Sequence, residues 1–368
     1  MGKKRGFSIL KKQGINEKCY AVPQQLTGTT GIQMITESGI IKRDDSYEKI
    51  YCCEENAAAA SNGEKIRGCT MLLRNADVDF AFYEDCTVHK VFLLIRLAAK
   101  GIEEAGEAFR VLEGDMQGNL YTFGIVLRPL DADGELRSIH RLVMSDTPGS
   151  RMDINHYVER HSGWLPDMEM KNRAEEKKWL RVTDNGELRR VFYVRRMSSG
   201  DAADICRLVR ASAACRLLVT CYEPVEDRYV AARIRQEYFS ADNIFAHLER
   251  KNYGIGRVLG SDRENERRYV FAGIYFVLGA ESEENLQAAG QELSEGLGRY
   301  RCEVAAFPGE QKSAYRHLLT FRPWAPVKMN LMPAQDIVQM NPFYRETAGN
   351  HTEVKEADAF LRFFDSMT

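Results

Sequence analysis

Apolar residues along this chain follow two rhythms, a period of two and a period of three to four. Their succession predicts a mixed α+β protein. Residues 39–51 set Ile and Tyr on either side of Asp44-Asp45-Ser46, the pattern of a β-hairpin. A marginal helix is expected at 57–60. A longer one is expected over 91–113, with Leu94, Leu97, Ile102, Ala105 and Phe109 on one face despite Gly101 and Gly106. Strands are expected at 120–127 and 138–144, joined by a turn at 131–134. Further on the alternation becomes regular. A strand at 188–194 leads to a helix at 202–211 behind the capping candidates Ser198 and Ser199, then to a strand at 217–222. Pro224 suits the start of a helix reaching Arg250, striped by Val230, Ile234, Tyr238, Ala241, Phe245 and Leu248. An apolar strand at 269–278 precedes a helix striped by Leu286, Ala289, Leu293 and Leu297. Its opening, Ser282-Glu-Glu-Asn, offers a cap and carboxylates suited to the positive end of a helix dipole. A strand at 299–306 and a helix at 309–321 follow.

Punctuation divides this series. Residues 145–181 are polar, hold Pro148, Gly149, Gly163 and Pro166, and end in a charged run. Three parts are expected: an α+β subdomain over 1–165, a second over 166–323, and a Pro-rich strap with a tail over 324–368. The fold class is layered α+β, with mixed or antiparallel sheets and crossover helices, the second subdomain resembling a split βαβ unit. No repeat with a period of 20–50 residues stands out.

Composition narrows the function. The chain has 368 residues, 44% of them hydrophobic, and a formal net charge of -2, so no global field attracts a polyanion. No apolar run reaches the roughly 18 residues that span a bilayer. The basic opening of the chain leads into no apolar signal segment. Nine scattered cysteines, an odd count, point to reduced thiols and a cytoplasmic location.

Candidate chemistry is sparse. A Walker A loop requires a Gly-rich turn followed by Lys and Ser or Thr, and no such string occurs. Gly254, Gly256 and Gly260 miss the dinucleotide spacing by one place and read as a connector. His156 and His161 are five apart, which puts them on different faces of a helix. Cys52-Cys53 has no nearby ligands for a tetrahedral metal site and reads as buried thiols. No Gly-x-Ser-x-Gly elbow exists, although a dispersed triad is left open. No catalytic residue, metal or cofactor is therefore expected. Basic density rises at Arg189-Arg190, at Arg195-Arg196 and across 250–268, ending in Arg267-Arg268, with Phe192, Tyr193 and Tyr269 interleaved. A solvated basic face, Arg195, Arg196, Arg267 and Arg268, is expected over a single-strand nucleic-acid groove.

Three passages carry a resemblance. Residues 269–286 run through a strand into an acidic-capped helix, then to Glu303-Val-Ala-Ala-Phe and Tyr315-Arg-His-Leu-Leu-Thr-Phe. Residues 39–51 and the stretch Val219-Thr-Cys-Tyr-Glu-Pro form the second and third passages. Together with Met340-Asn-Pro-Phe-Tyr, they resemble the N-terminal domain of the conjugative-transfer ATPases of type IV secretion, the TrbE/CagE group in its Gram-positive form. Residues 60–180 match least. The family's Walker motifs are expected beyond Tyr344, and the chain ends at Thr368 without one. The resemblance implies a non-catalytic docking and assembly module whose partners are secretion components or a separate P-loop ATPase domain. Peripheral contact with the inner face of the membrane and a homo-oligomer are compatible with it. Trp324, Phe343 and Tyr344 are expected to leave apolar surface for such a partner. The alternatives are a single-strand nucleic-acid binder and an unrecognised hydrolase or thiol enzyme.

Overall fold

A computed structural model describes residues 19–21, 32–55, 78–87, 89–121, 125–130, 180–181, 187–197, 201–224, 269–300, 302–307, 311–319, 321–323, 329–333, 337 and 340–343. Within them the chain is a mixed α+β protein. Its elements begin with β1 (Cys19–Ala21), β2 (Ile32–Thr36), β3 (Ile41–Arg43), β4 (Ser46–Glu55), β5 (Asp79–Asp85), β6 (Lys90–Ala98), α1 (Ile102–Tyr121) and β7 (Ile125–Pro129). They continue with β8 (Leu180–Arg181), β9 (Leu188–Arg196), α2 (Ala202–Ala211), β10 (Cys215–Pro224), β11 (Tyr269–Ala280), α3 (Glu283–Gly298), β12 (Glu303–Ala306), α4 (Gln311–Leu319) and β13 (Asn330–Pro333).

These strands form one sheet, and each pairing among the described residues is antiparallel. Its order contains the same arrangement twice. In one half the sequence across the sheet is β7-β4-β6-β5, and in the other it is β12-β9-β11-β10. Each reads fourth, first, third and second strand of its half. Each first strand also has a short partner just before it in the chain, β3 on β4 and β8 on β9. The halves meet through their second strands, β5 and β10, from Asp85↔Leu217 to Phe80↔Tyr222. The boundary expected near residue 165 lies outside the described residues, and strands from both sides of it share the sheet.

Side chains in a strand alternate between faces, and here both faces are buried. On one, Phe80, Phe82, Leu93, Ile95, Leu218, Tyr222, Ile274 and Phe276 pack beneath Phe109, Ile205, Val209, Leu286, Leu293 and Leu297 of α1, α2 and α3. On the other, Ala81, Tyr83, Phe92, Leu94, Val219, Cys221, Tyr275 and Val277 pack with Tyr315 and Leu318 of α4 and with Phe321. Each fully buried Leu or Phe of this kind is worth about 1.5–3 kcal/mol.

The 39–51 hairpin forms as expected, turning at Asp44, whose φ of 48° suits an Asp. Helix α3 begins where its cap was read, with Ser282 accepting from the Asn285 N–H at 3.2 Å. Three readings are corrected. The helix expected over 91–113 is strand β6 followed by helix α1 from Ile102. An apolar run that short does not separate a helix from a strand buried on both faces, and Phe92 and Leu94 point opposite to Leu93 and Ile95. The strand expected at 120–127 starts only at Ile125, because α1 continues to Tyr121. Pro224 closes β10 instead of opening a helix. It sits at a strand end, where its missing N–H costs no ladder bond. The turn at 131–134, the strand at 138–144 and the helix beyond Pro224 lie outside the described residues, as does the helix at 57–60.

The strap is corrected as well. Residues 330–333 are strand β13, paired with β11 from Tyr269↔Pro333 to Ala272↔Asn330. Met332, Ile337, Met340 and Phe343 all enter the larger core. This stretch adds to the core where a surface course was expected.

Candidate functional site

Titratable and unpartnered polar groups concentrate where the two halves meet. Glu84, at the end of β5, lies on the helix face, and Arg210 of α2 reaches across from the second half. Arg210 Nε and Nη2 donate to the two Glu84 carboxylate oxygens at 2.5 and 2.8 Å, and Nη2 also donates to the Met340 carbonyl at 2.9 Å. One guanidinium thus ties together the first half, the second half and the segment after β13. Burial holds the Glu84 carboxyl above its ordinary range, with Arg210 pulling the other way.

Two further networks lie beside this joint, one across it and one within the second half. Arg96 of β6 donates to Asp79 of β5 at 2.7 Å and to Glu223 of β10 at 3.1 Å, again joining the halves. Burial pushes both carboxyls up. At the opposite end, Glu187 accepts from Arg189 at 2.8 Å and from Arg216 at 2.6 Å, while Arg189 Nη1 donates to the Tyr315 hydroxyl at 2.6 Å. Burial would raise Glu187, but the two arginines outweigh it and hold the carboxyl below its ordinary value. Gln311 of α4 clamps β9 by accepting from the Val191 N–H at 2.7 Å and donating to its carbonyl at 3.0 Å.

Between these networks lie hydroxyls with no partner of hydrogen-bond geometry. Tyr83 and Tyr275 flank Val219 across three strands. Next to them is a row of small residues, Ala81, Cys221 and Gly273, with the Cys221 thiol directed at the Pro323 carbonyl at 3.8 Å. Thr220 and Tyr222 carry unpartnered hydroxyls on the helix face. Burial raises the Tyr83, Tyr222 and Tyr275 phenols well above their ordinary value.

A nucleophilic thiol needs a lowered pKa and access. Burial pushes Cys206 and Cys302 up to about 12 and Cys221 higher still. These thiols are held as packing groups. Among the described residues no three His, Cys, Asp or Glu side chains gather as metal ligands. Cys52 and Cys53 are buried free thiols on opposite faces of β4, as the sequence led one to expect. The joint is thus built to fix two halves and a trailing segment in one arrangement.

Of the residues singled out in the sequence, Phe343 is buried at 6% exposure, so it offers no apolar surface to a partner. Its N–H donates to the Asn341 side chain at 3.0 Å, which seats the turn that turns it inward. Trp324 and Tyr344 lie outside the described residues. Arg195 and Arg196 are both exposed at the end of β9, with Arg196 opposite Glu303 of β12. Arg267 and Arg268 lie outside the described residues. The Glu84–Arg210, Arg96–Glu223 and Glu187–Arg216 contacts were missed in the sequence, since each pairs groups far apart in the chain.

Neither the protein-family models nor the curated proteins contain a match to this chain. Among solved structures it is similar to CrmK, a flavoenzyme involved in the shunt product recycling mechanism in caerulomycin biosynthesis, at 8% identity. That match covers 81% of this chain and 53% of the CrmK chain, so the present chain spans about half of its length, and the TM-score of 0.31 is too low to bear on fold or function.

Proposed function

We propose that this chain is a non-catalytic docking and assembly module of a conjugative type IV secretion ATPase, supporting DNA or protein transfer at the membrane machine. What supports the reading is the use made of the residues after β12. They run through α4 into β13 and on to Met340, whose carbonyl Arg210 holds together with Glu84. In the family that the sequence resembles, this stretch leads toward the P-loop domain. A segment anchored to both halves would transmit the position of the sheet to an ATPase domain more firmly than a loose strap. Docking then falls to the exposed surface around that segment, with Phe343 serving as its internal anchor. The strand order agrees with a layered α+β fold, in which β9, α2, β10, β11, α3 and β12 make a split βαβ unit and β4, β5, β6, α1 and β7 follow the same order.

The adjacent exposed side chains of Arg195 and Arg196 support a second reading, a single-strand nucleic-acid surface. No described helix is long and apolar enough to cross a membrane. As part of the same proposal, the module works on the cytoplasmic side, at most peripheral to the bilayer. The test is expression of the chain in a donor cell that carries a conjugative element. A docking module competes for the seat of the intact ATPase and lowers transfer frequency, whereas unchanged transfer at high expression contradicts the proposal. Loss of transfer that disappears when Arg195 and Arg196 are replaced by Ser would instead favour the nucleic-acid reading.

A further inference from the structure

The joint between the halves also holds two thiols that no part of this reading uses. Cys86 follows the last residue of β5, and Cys215 opens β10. The Cys86 N–H donates to the Arg216 carbonyl at 3.1 Å, so the two chain segments remain paired up to this point. Continuing the Leu217↔Asp85 register sets Cys86 opposite Arg216, so Cys215 is its neighbour one residue along the facing strand, and a disulfide accepts a Cα separation of roughly 4.4–6.8 Å. The register of β10 shifts between Cys215 and Leu217. That irregularity decides the geometry, because it sends Cys215 to the helix face while Leu217 packs on the other. Cys86 packs against the same helix-face core. The Cys86 thiol is directed at the Glu84 carbonyl and the Cys215 thiol at the Leu217 carbonyl, each at 3.7 Å, and the neighbouring Cys86, with burial, raises the Cys215 thiol well above its ordinary value. Cys86 is partly exposed, whereas Cys52, Cys53, Cys206, Cys215, Cys221 and Cys302 are buried.

We propose that Cys86 and Cys215 are a redox-responsive pair whose disulfide staples the first half of the sheet to the second. The oxidant is a small disulfide such as oxidised glutathione. The Cys86 thiolate attacks one of its sulfurs, forming a mixed disulfide and releasing one glutathione thiolate. The Cys215 thiol gives up its proton to solvent and attacks the Cys86 sulfur, breaking the mixed disulfide and releasing the second glutathione. Two protein thiols are oxidised to one disulfide, and one glutathione disulfide is reduced to two thiols. Only the more accessible thiol meets the oxidant, so the order of attack is fixed by the fold.

The experiment treats the folded chain with oxidised glutathione, blocks remaining thiols and digests with trypsin. Cleavage after Arg74, Lys90, Arg210 and Arg216 puts Cys86 and Cys215 in separate peptides, 75–90 and 211–216, each with a single cysteine. The expected product is these two peptides joined by a disulfide, with loss of two thiols that dithiothreitol restores. Cys86→Ser, at a partly exposed position, should leave the Cys215 thiol intact, and Cys215→Ser should trap glutathione on Cys86. Retention of both thiols in the unaltered chain overturns the proposal. So does a stable glutathione adduct on its Cys86, a link to any other cysteine, or oxidation of Cys215 in the Cys86→Ser variant.

Discussion

Replacing Arg210 by Met removes the guanidinium that joins β5, α2 and the segment at Met340, and keeps most of its apolar stem. Breaking a buried ion pair from one side costs about 3–5 kcal/mol. Arg210 is 24% exposed against 8% for Glu84, so solvent screens part of the loss, and about 3 kcal/mol is expected near pH 8. The pH dependence is the sharper test. Burial already raises Glu84, and Arg210 is what restrains it. Without Arg210 the folded-state pKa climbs further. A carboxyl raised in the folded state leaves stability intact below its unfolded value, 4.5, and removes it as pH rises through the folded value. The variant should therefore lose only about 1–2 kcal/mol near pH 4, below that unfolded value. Urea unfolding followed by circular dichroism at both pH values measures the difference. The Glu84→Met, Arg210→Met double variant should recover most of the loss, since no buried charge is left unpaired. An Arg210→Met loss that is the same at both pH values, and additive with Glu84→Met, would refute the reasoning.

Three further variants probe the same structure. Glu187→Gln should cost about 1.5–3 kcal/mol at neutral pH by uncoupling Arg189 and Arg216; because the Glu187 carboxyl is lowered in the fold, its contribution is present above 4.5 and fades as pH falls through the folded value, so variant and parent unfolding curves should converge in acid. Gly273→Ala would place a Cβ 2.9 Å from the Cys221 sulfur and 3.4 Å from the Tyr275 hydroxyl, an overpacking that should cost about 1–3 kcal/mol in thermal or urea unfolding. Phe343→Ala should destabilise the chain by about 3–5 kcal/mol, the cost of emptying a core aromatic site; unchanged stability would return Phe343 to the surface role that the sequence assigned to it.

The sequence was most informative where local chemistry sufficed. The turn at Asp44 and the Ser282 cap are short-range features, and both elements form where the residues placed them. Residues 91–98 misled because a strand buried on both faces loses its alternation and reads as a helical stripe. The doubled strand order escaped notice because the repeat is one of topology. Its faint trace is Val91-Phe92 opening β6 and Val270-Phe271 near the start of β11, each followed by a helix whose first turn carries a Glu pair, Glu103-Glu104 and Glu283-Glu284. Phe343 looked like an interface aromatic because only the pairing of β13 with β11 carries it into the core. The joint itself was invisible for a similar reason. Glu84, Arg210 and Met340 become neighbours only once β5 pairs with β10 and α2 lies over them.

The central claim, a docking module for a P-loop domain, is tested most directly by a binding titration. The folded chain is immobilised, and the separately purified P-loop domain of a conjugative ATPase is passed over it, with the P-loop domain of an unrelated ATPase as the control. The account predicts saturable binding at about micromolar concentration or tighter for the conjugative domain, corresponding to roughly 8 kcal/mol or more, and none for the control. Equal binding of both domains, or of neither, would contradict it.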